Sequence, residues 1–461
     1  MKDFFVRLLP GKLIFFLGLI MLSYITLNRN WLNSKWPIQM DANGYYIYLP
    51  AIFIYGDLER LSFVDKMPEQ FDRKYFLYKG AAGGYMTKYT PGMALLEFPF
   101  FAAGHQAAKL FGFPCDGYSP PYRLAIAVSS LFFSLLGLYL LSVFLRRYFP
   151  VWIVNTCLVL LFFGTNLFFN TVIQAGVTHN YLFFVFSGMI LCLDNWRRSA
   201  KIRDFALACA CVGFSALIRP TEVIIGIVPL VYFLFIRGFS LSGDWFRRNL
   251  PSISTGLTCF ILMLVPVFIY WKYATGNWVA YTYEDEGFYF DRPWQIWYGL
   301  FGFRKGWFVY TPLAAIALFS AIRYRGTEGE NNLTRAFLMY LPLHIFIALS
   351  WYGWWYGGCF GNRAFVPVLA FLALPLAVLI QKSSSGKIGL LIVVSSCVAL
   401  NLFQTFQYQR QVLHMDSMTW PAYRYVFGKW KLSEEEKKHL KTLLEPADYS
   451  QRGKKLDAYF R

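Results

Sequence analysis

The sequence predicts an all-α polytopic membrane protein with about eleven spanning helices. Three observations predict it. Of the 461 residues 57% are hydrophobic and only 15% are charged, whereas a soluble domain carries about a quarter. Apolar runs that approach or exceed about 18 residues recur along the whole length. Lys and Arg cluster in the short loops between those runs, the positive-inside pattern. That pattern accounts for a formal net charge of +18 without nucleic acid as a partner, and no basic and aromatic stripe of a nucleic-acid surface is present. Phosphate-cradling loops, Cys/His metal spacings, nucleophilic-serine motifs and a soluble nucleotide-sugar domain are all absent from the sequence.

The first run, 13–28, resembles the core of a signal peptide. It is followed by Asn28, Arg29, Asn30 and Trp31 rather than by a small-residue cleavage site, and reads as a retained anchor helix. A long outer loop, 29–121, comes next. Within it GYYIYLPAIFIY (44–55) places Tyr45, Tyr48, Leu49 and Ile52 on one helical face, with Pro50 bending the segment. The segment 91–112 is long enough to cross, but Pro99 interrupts it and it carries Glu97, His105, Gln106 and Lys109. Such charge is costly in a lipid-exposed span.

Charge parity decides the case. If 91–112 lies in the outer interface, the loops holding Arg146 and Arg147, Arg197 to Arg203, Arg237 to Arg248, Arg323 to Arg335, and Lys382 with Lys387 all face the cytoplasm, as do Lys2, Arg7 and Lys12. If it crosses, every later loop inverts. The remaining spans are expected at 122–145, 150–167, 178–194, 204–219, 221–236, 251–271, 307–322, 336–353, 364–380 and 388–405, with a second outer loop at 272–306. Residues 1–405 then form the transmembrane domain and 406–461 an extracytoplasmic tail. The tail holds a surface helix at 431–444, opened by Ser433 as N-cap with Glu436 three residues on.

Cys157, Cys192, Cys209, Cys211, Cys259 and Cys397 lie in apolar runs and read as small core residues. Cys115 and Cys359 fall on the outer side, where a bond between them is compatible with the sequence. Only Asn155, His344 and Asn401 interrupt the spans. A pump or ion-coupled transporter places ionisable groups near the bilayer midplane. Here the charged residues gather at the outer interface, which favours a reaction on a membrane-borne substrate.

Several outer segments carry residues suited to that chemistry. Asp41, in QMDANGYYIYLP, suits a catalytic carboxylate and equally a helix N-cap. Lys88, in GGYMTKYTPG, suits a phosphate ligand or a lysine snorkelling to headgroups, and Arg123 is ambiguous in the same way. His179 stands at the outer end of a span, and Arg219 with Glu222 suits an ion pair. Glu284, Asp285, Glu286 and Asp291 stand beside Trp294, Trp297 and Tyr298, a mixture that suits a sugar or any wet interface. Arg304 and Lys305 follow. In WYGWWYGGCFGNRAFVP, Trp351, Trp354 and Trp355 lead through glycines to Asn362 and Arg363. Arg grips phosphate bidentately, as Lys does not.

An Asp early in the first outer loop, an interfacial helix, a Lys-x-x-Pro segment and about eleven spans together resemble the GT-C superfamily of glycosyltransferases. The protein O-mannosyltransferases and the lipid A aminoarabinose transferase are its better-known branches. RKGWFVYTP, WWYGGCFGNRAFVP, ALIRPTEVI and VTHNYLFF fit the same picture. The resemblance implies a polyprenyl-phosphate-linked sugar as donor and an extracytoplasmic lipid, glycan or protein as acceptor. It implies Asp41 as general base in an inverting single displacement, with Lys88, Arg363, Arg123 and Arg304 holding the leaving phosphate. Substrate or acceptor contacts are expected from Tyr45, Tyr89, His179, Glu284, Asp285, Trp355 and Asn362.

The chain departs from the family's pattern at two places. Asp41 is followed by Ala42 and Asn43 rather than by a second acid, and Lys88-Tyr89-Thr90-Pro91 stands for the usual Lys-Pro-Pro. No metal site is therefore expected, a divalent cation being the one cofactor the superfamily leaves open. The expected location is a bacterial inner membrane, in contact with its lipids, with the site on the periplasmic side. The competing functions are a flippase or transporter of a lipid-linked saccharide, and an O-antigen-type polymerase or ligase using a pyrophosphate-linked donor.

Overall fold

Each expected span folds as helix, the conformation that satisfies every backbone N–H and C=O within its own segment. The structure is a computed structural model describing residues 9–66, 76–79, 84–240, 242–283, 286–323, 328–383 and 388–447. In chain order the elements begin with α1 (Pro10–Asn28), α2 (Met40–Tyr46), β1 (Leu77–Lys79), β2 (Tyr85–Thr87), α3 (Gly92–Leu110) and α4 (Pro120–Leu145). They continue with α5 (Val151–Phe163), α6 (Thr178–Ser199), α7 (Ile202–Ile218), α8 (Ile227–Arg237), α9 (Gly243–Thr275) and α10 (Pro293–Phe301). The last are α11 (Pro312–Ile322), α12 (Glu328–Leu349), α13 (Leu369–Ser383), α14 (Ile388–Gln409), α15 (Trp420–Val426) and α16 (Glu434–Leu443). Among the described residues Pro10–Asn28, Pro120–Leu145, Pro220–Arg237, Gly243–Thr275 and Asn331–Leu349 are long and apolar enough to cross a membrane.

Local chemistry sets the boundaries. The span expected at 251–271 is longer, because Ser242 caps α9 by accepting from Trp245 N at 3.2 Å. In the tail Ser433 accepts from Glu436 N at 3.2 Å while Glu436 accepts from Ser433 N at 2.8 Å, the capping box that opens α16. The 44–55 segment is helical but not uniform. After α2 a short turn at Tyr48–Pro50 passes into a π-helical turn at Ala51–Tyr55, since Pro50 has no N–H to give to the α ladder. Tyr45, Tyr48 and Leu49 are buried, whereas Ile52 is 47% exposed, turned off their face by the change of pitch. Two further departures stand out. The first outer loop contains a small antiparallel hairpin, β1 with β2, pairing Tyr78 with Met86. Cys115 and Cys359 are both free. The Cys359 thiol donates within its own turn, to Tyr356 O (2.8 Å) and Gly361 O (3.0 Å).

The chain divides into two compact units. One comprises Leu9–Phe144 and Thr171–Thr282. In it α9 packs along α7, α7 along α6, and α3 against α2 and α7. The α7–α9 approach needs Gly213, because a Cβ there would lie 2.9 Å from Met263 Cβ and would overlap the backbone at Phe260. Small residues serve helix packing in a bilayer in this way.

The other unit comprises Leu145–Asn170 and the described part of Tyr283–Arg461. Here α13 packs against α5 and α11, and α14 against α5. The Trp307 ring stacks on Phe365 at 4.3 Å. Asn155, His344 and Asn401, the polar residues inside spans, are all buried. Asn401 donates to Tyr310 O at 2.9 Å, and His344 bridges Tyr340 Oη (2.8 Å) and Ala364 O (3.2 Å).

Candidate active site

Asp41 is not the N-cap of α2. Gln39 takes that place, with Met40 at φ 47° opening the helix. Asp41 sits in the first turn, half-buried, with its side chain directed to the segment that follows β2. That segment is tied down on all sides. Lys88 N donates to Phe76 O (3.0 Å), Thr87 Oγ1 to Gly44 O (2.8 Å) and Thr90 Oγ1 to Ile218 O (3.0 Å). Tyr48 Oη donates to Tyr89 O (2.6 Å) and Thr282 Oγ1 to Lys88 O (2.7 Å).

The anchored backbone delivers Tyr89 to Asp41. Its ring stacks on Tyr45 with centroids 4.1 Å apart, and its hydroxyl donates to Asp41 Oδ1 at 2.6 Å, the length of a charge-assisted bond to a carboxylate. Gly44 is required here, because a Cβ on it would overlap the Tyr89 ring. Lys88 Nζ lies 5.4 Å from the centroid of the same ring, within cation–π range. Asp41, Tyr45, Lys88 and Tyr89 therefore form one cluster: an oriented acid, two aromatic faces and an ammonium.

The other candidates of this unit are placed differently. Arg123 reaches the carbonyls of Trp31 and Leu32, each at 3.4 Å, and so braces the segment after α1. His179 is buried in the first turn of α6. Arg219 and Glu222 pair at 3.8 Å. Glu97, which first counted only as an obstacle to crossing, is fully buried and accepts a hydrogen bond from Tyr181 Oη at 2.9 Å.

The second unit holds a cluster of cations. Arg304 donates to Asp416 O (2.9 Å) and Glu445 O (3.1 Å), and its guanidinium lies 5.7 Å from the Trp355 ring centroid. Lys305, only 2% exposed, donates to Cys359 O and stands 4.0 Å from the Asp416 carboxylate. Burial pulls its ammonium below the ordinary lysine range. Cys359 and Asp416 oppose that shift, while neighbouring Arg363 and Arg304 reinforce it. Arg363 opens a short turn stabilised by Asn362. The Asn362 amide is engaged at both ends, donating to Trp354 O (3.1 Å) and accepting from Ala364 N (3.1 Å). It holds the turn that presents Arg363. Glu284 and Asp285 lie outside the described residues.

Sequence reasoning names Lys305 without giving it a role and does not single out Asp416. Lys305 was legible as the second half of an Arg-Lys pair ahead of a span. Asp416 carries no signal until the tail folds back. Among the described residues no three His, Cys, Asp or Glu side chains gather as a metal-ligand set.

No protein-family model matches the chain, and no curated protein does. A solved structure does match: the crystal structure of ArnT from Cupriavidus metallidurans bound to undecaprenyl phosphate. The TM-score is 0.50 and the identity 14%, over 84% of this chain and 63% of that one. The likeness is one of fold. The chain is a multi-pass membrane protein whose fold is like that of the ArnT structure. It spans 63% of the length of the ArnT chain.

Proposed function

We propose that the chain is a membrane glycosyltransferase that moves a monosaccharide from a polyprenyl-phosphate donor to an extracytoplasmic lipid, glycan or protein. The carrying observation is the hydrogen bond of Tyr89 to Asp41 with Lys88 on the adjoining residue. Together they set an oriented carboxylate near a cation, the two groups an inverting displacement needs. In this reading an acceptor hydroxyl attacks the anomeric carbon and Asp41 takes its proton. The bond from that carbon to the phosphate oxygen breaks with inversion, and the polyprenyl phosphate departs with the bonding pair. General-base help of this kind contributes about 10²–10⁴ in rate.

Lys88 meets the charge that develops on the departing phosphate. Tyr89 holds Asp41 in one rotamer, and the stacked Tyr45 and Tyr89 rings supply a flat wall beside the base. Arg304, Lys305 and Arg363 form a second group of cations suited to an anion. The bound undecaprenyl phosphate of the ArnT structure supports a polyprenyl phosphate as the carrier. The reading places the site on the periplasmic side of a bacterial inner membrane, following the distribution of basic loops.

The test offers purified protein in liposomes two labelled donors, a polyprenyl-phosphate sugar and a pyrophosphate-linked oligosaccharide, with an envelope extract as acceptor. A new glycosidic bond from the first donor alone is expected. Transfer from the second alone identifies a polymerase or ligase. Translocation without any new bond identifies a flippase.

A further inference from the structure

We propose that the Asp416 carboxylate is a placeholder for a substrate phosphate, filling an anion position built by Lys305 and the Gly358 N–H until a lipid-borne phosphate displaces it and frees the C-terminal segment. The inference rests on the polyprenyl-phosphate reading and extends it to the tail.

The geometry is that of an occupied anion site. Asp416 Oδ1 accepts from Gly358 N at 2.7 Å and lies 4.0 Å from Lys305 Nζ. Lys305 is almost wholly buried, and a buried ammonium requires a countercharge. Arg304 and Arg363 stand close enough to act on it electrostatically. Among the described residues Asp416 is the one carboxylate within ion-pair distance of Lys305, while Arg304 has a second, Glu445, at 3.5 Å. A phosphate offers more acceptor oxygens than a carboxylate, and the monoester left once the sugar has departed also carries more charge, so it satisfies this group better.

What holds the carboxylate in place is a strap. Arg304 grips the main chain at Asp416 and at Glu445. The two ends of the strap are tied to each other by Glu445 N to Ser417 O (3.1 Å) and Thr419 Oγ1 to Leu443 O (2.7 Å). Losing Asp416 from its position therefore loosens the whole stretch from Asp416 to Glu445. Occupancy of the anion site becomes coupled to the order of the tail.

The experiment uses the full-length protein in lipid nanodiscs, with undecaprenyl phosphate and inorganic phosphate as separate probes. Affinity and amide hydrogen exchange of 356–360, 412–419 and 440–447 are measured. Saturating undecaprenyl phosphate is expected to speed exchange in all three segments. Asp416→Asn should bind it about three- to ten-fold tighter, since the competing internal anion is gone, and should show the loosened strap without any lipid. Lys305→Gln should bind about ten-fold more weakly, and Lys305→Arg close to wild type. If Lys305→Gln does not fold, Asp416→Asn and Lys305→Arg decide alone.

Unchanged or weaker binding by Asp416→Asn overturns the proposal, as does slower exchange on lipid binding. Inorganic phosphate loosening the strap at the same concentration overturns the assignment to a lipid-borne group. A wild type that binds no undecaprenyl phosphate overturns the donor reading and this inference together. A wild type whose binding depends on Lys88 but not on Asp416 or Lys305 overturns this inference alone.

Discussion

Tyr89 donates its hydroxyl to Asp41 across 2.6 Å, joining the segment after β2 to the first turn of α2. The two residues are far apart in sequence, and the bond fixes the direction of the carboxylate. Tyr89→Phe keeps the stack on Tyr45 and removes only the hydroxyl. Turnover is expected to fall about ten-fold, the worth of one hydrogen bond to a charged group, with the donor KM little changed. Steady-state kinetics beside a thermal unfolding curve check this. A large loss of stability would make the bond structural instead.

Gly44 offers a separate way to disturb the same pair. A methyl group at that position overlaps the Tyr89 ring, so Gly44→Ala should push the ring away from Asp41. The expected result is a larger loss of turnover than Tyr89→Phe gives, with a stability cost of about 1–3 kcal/mol from overpacking. Kinetics and detergent-solubilised unfolding on the same preparation separate the two effects.

Lys88 faces the departing phosphate in the proposed reaction. Lys88→Gln should lower turnover about 10²-fold, as loss of one group stabilising a developing charge does. Lys88→Arg should recover part of it. An equal loss with a donor whose leaving group is neutral would place Lys88 outside the phosphate's reach.

The buried pair of Glu97 and Tyr181 is a matter of stability. Tyr181 Oη contacts Glu97 Oε1 at 2.9 Å and Ser129 Oγ at 3.1 Å. Tyr181→Phe strips a fully buried carboxyl of this bond and should cost about 1–3 kcal/mol. Adding Glu97→Leu to Tyr181→Phe should restore much of it, because replacing both partners removes the unsatisfied group. Chemical unfolding in micelles of the single and double variants measures the difference.

Much of the fold was legible because a bilayer leaves the backbone few choices. Apolar runs bounded by Lys and Arg gave α1, α4 to α9 and α11 to α14, and Ser433 with Glu436 gave α16, whereas α10 lies within what reads as an outer loop. The ends were less legible where caps outside the apolar run decide them, as Ser242 does for α9. Ile52 went astray because a π-helical turn changes the period that placed it on the buried face.

The candidate site was legible as residue types and not as partnerships. Asp41, Tyr45, Lys88 and Tyr89 were all named, yet the bond between Asp41 and Tyr89 depends on the β1–β2 hairpin, which three-residue strands announce only faintly. The capping role of Asn362 was not legible either, because it depends on the turn at Arg363–Phe365. Asp416 was invisible because the chain must fold back from α14 before its carboxylate meets Lys305.

The central claim is that Asp41 is the base of a sugar transfer from a polyprenyl phosphate. The most direct measurement compares wild type and Asp41→Asn in proteoliposomes, following release of polyprenyl phosphate and formation of the new glycosidic bond. Asp41→Asn is expected to keep its fold and its affinity for undecaprenyl phosphate while transfer falls by about 10²–10⁴. Wild-type rates from a well-folded Asp41→Asn protein would contradict it.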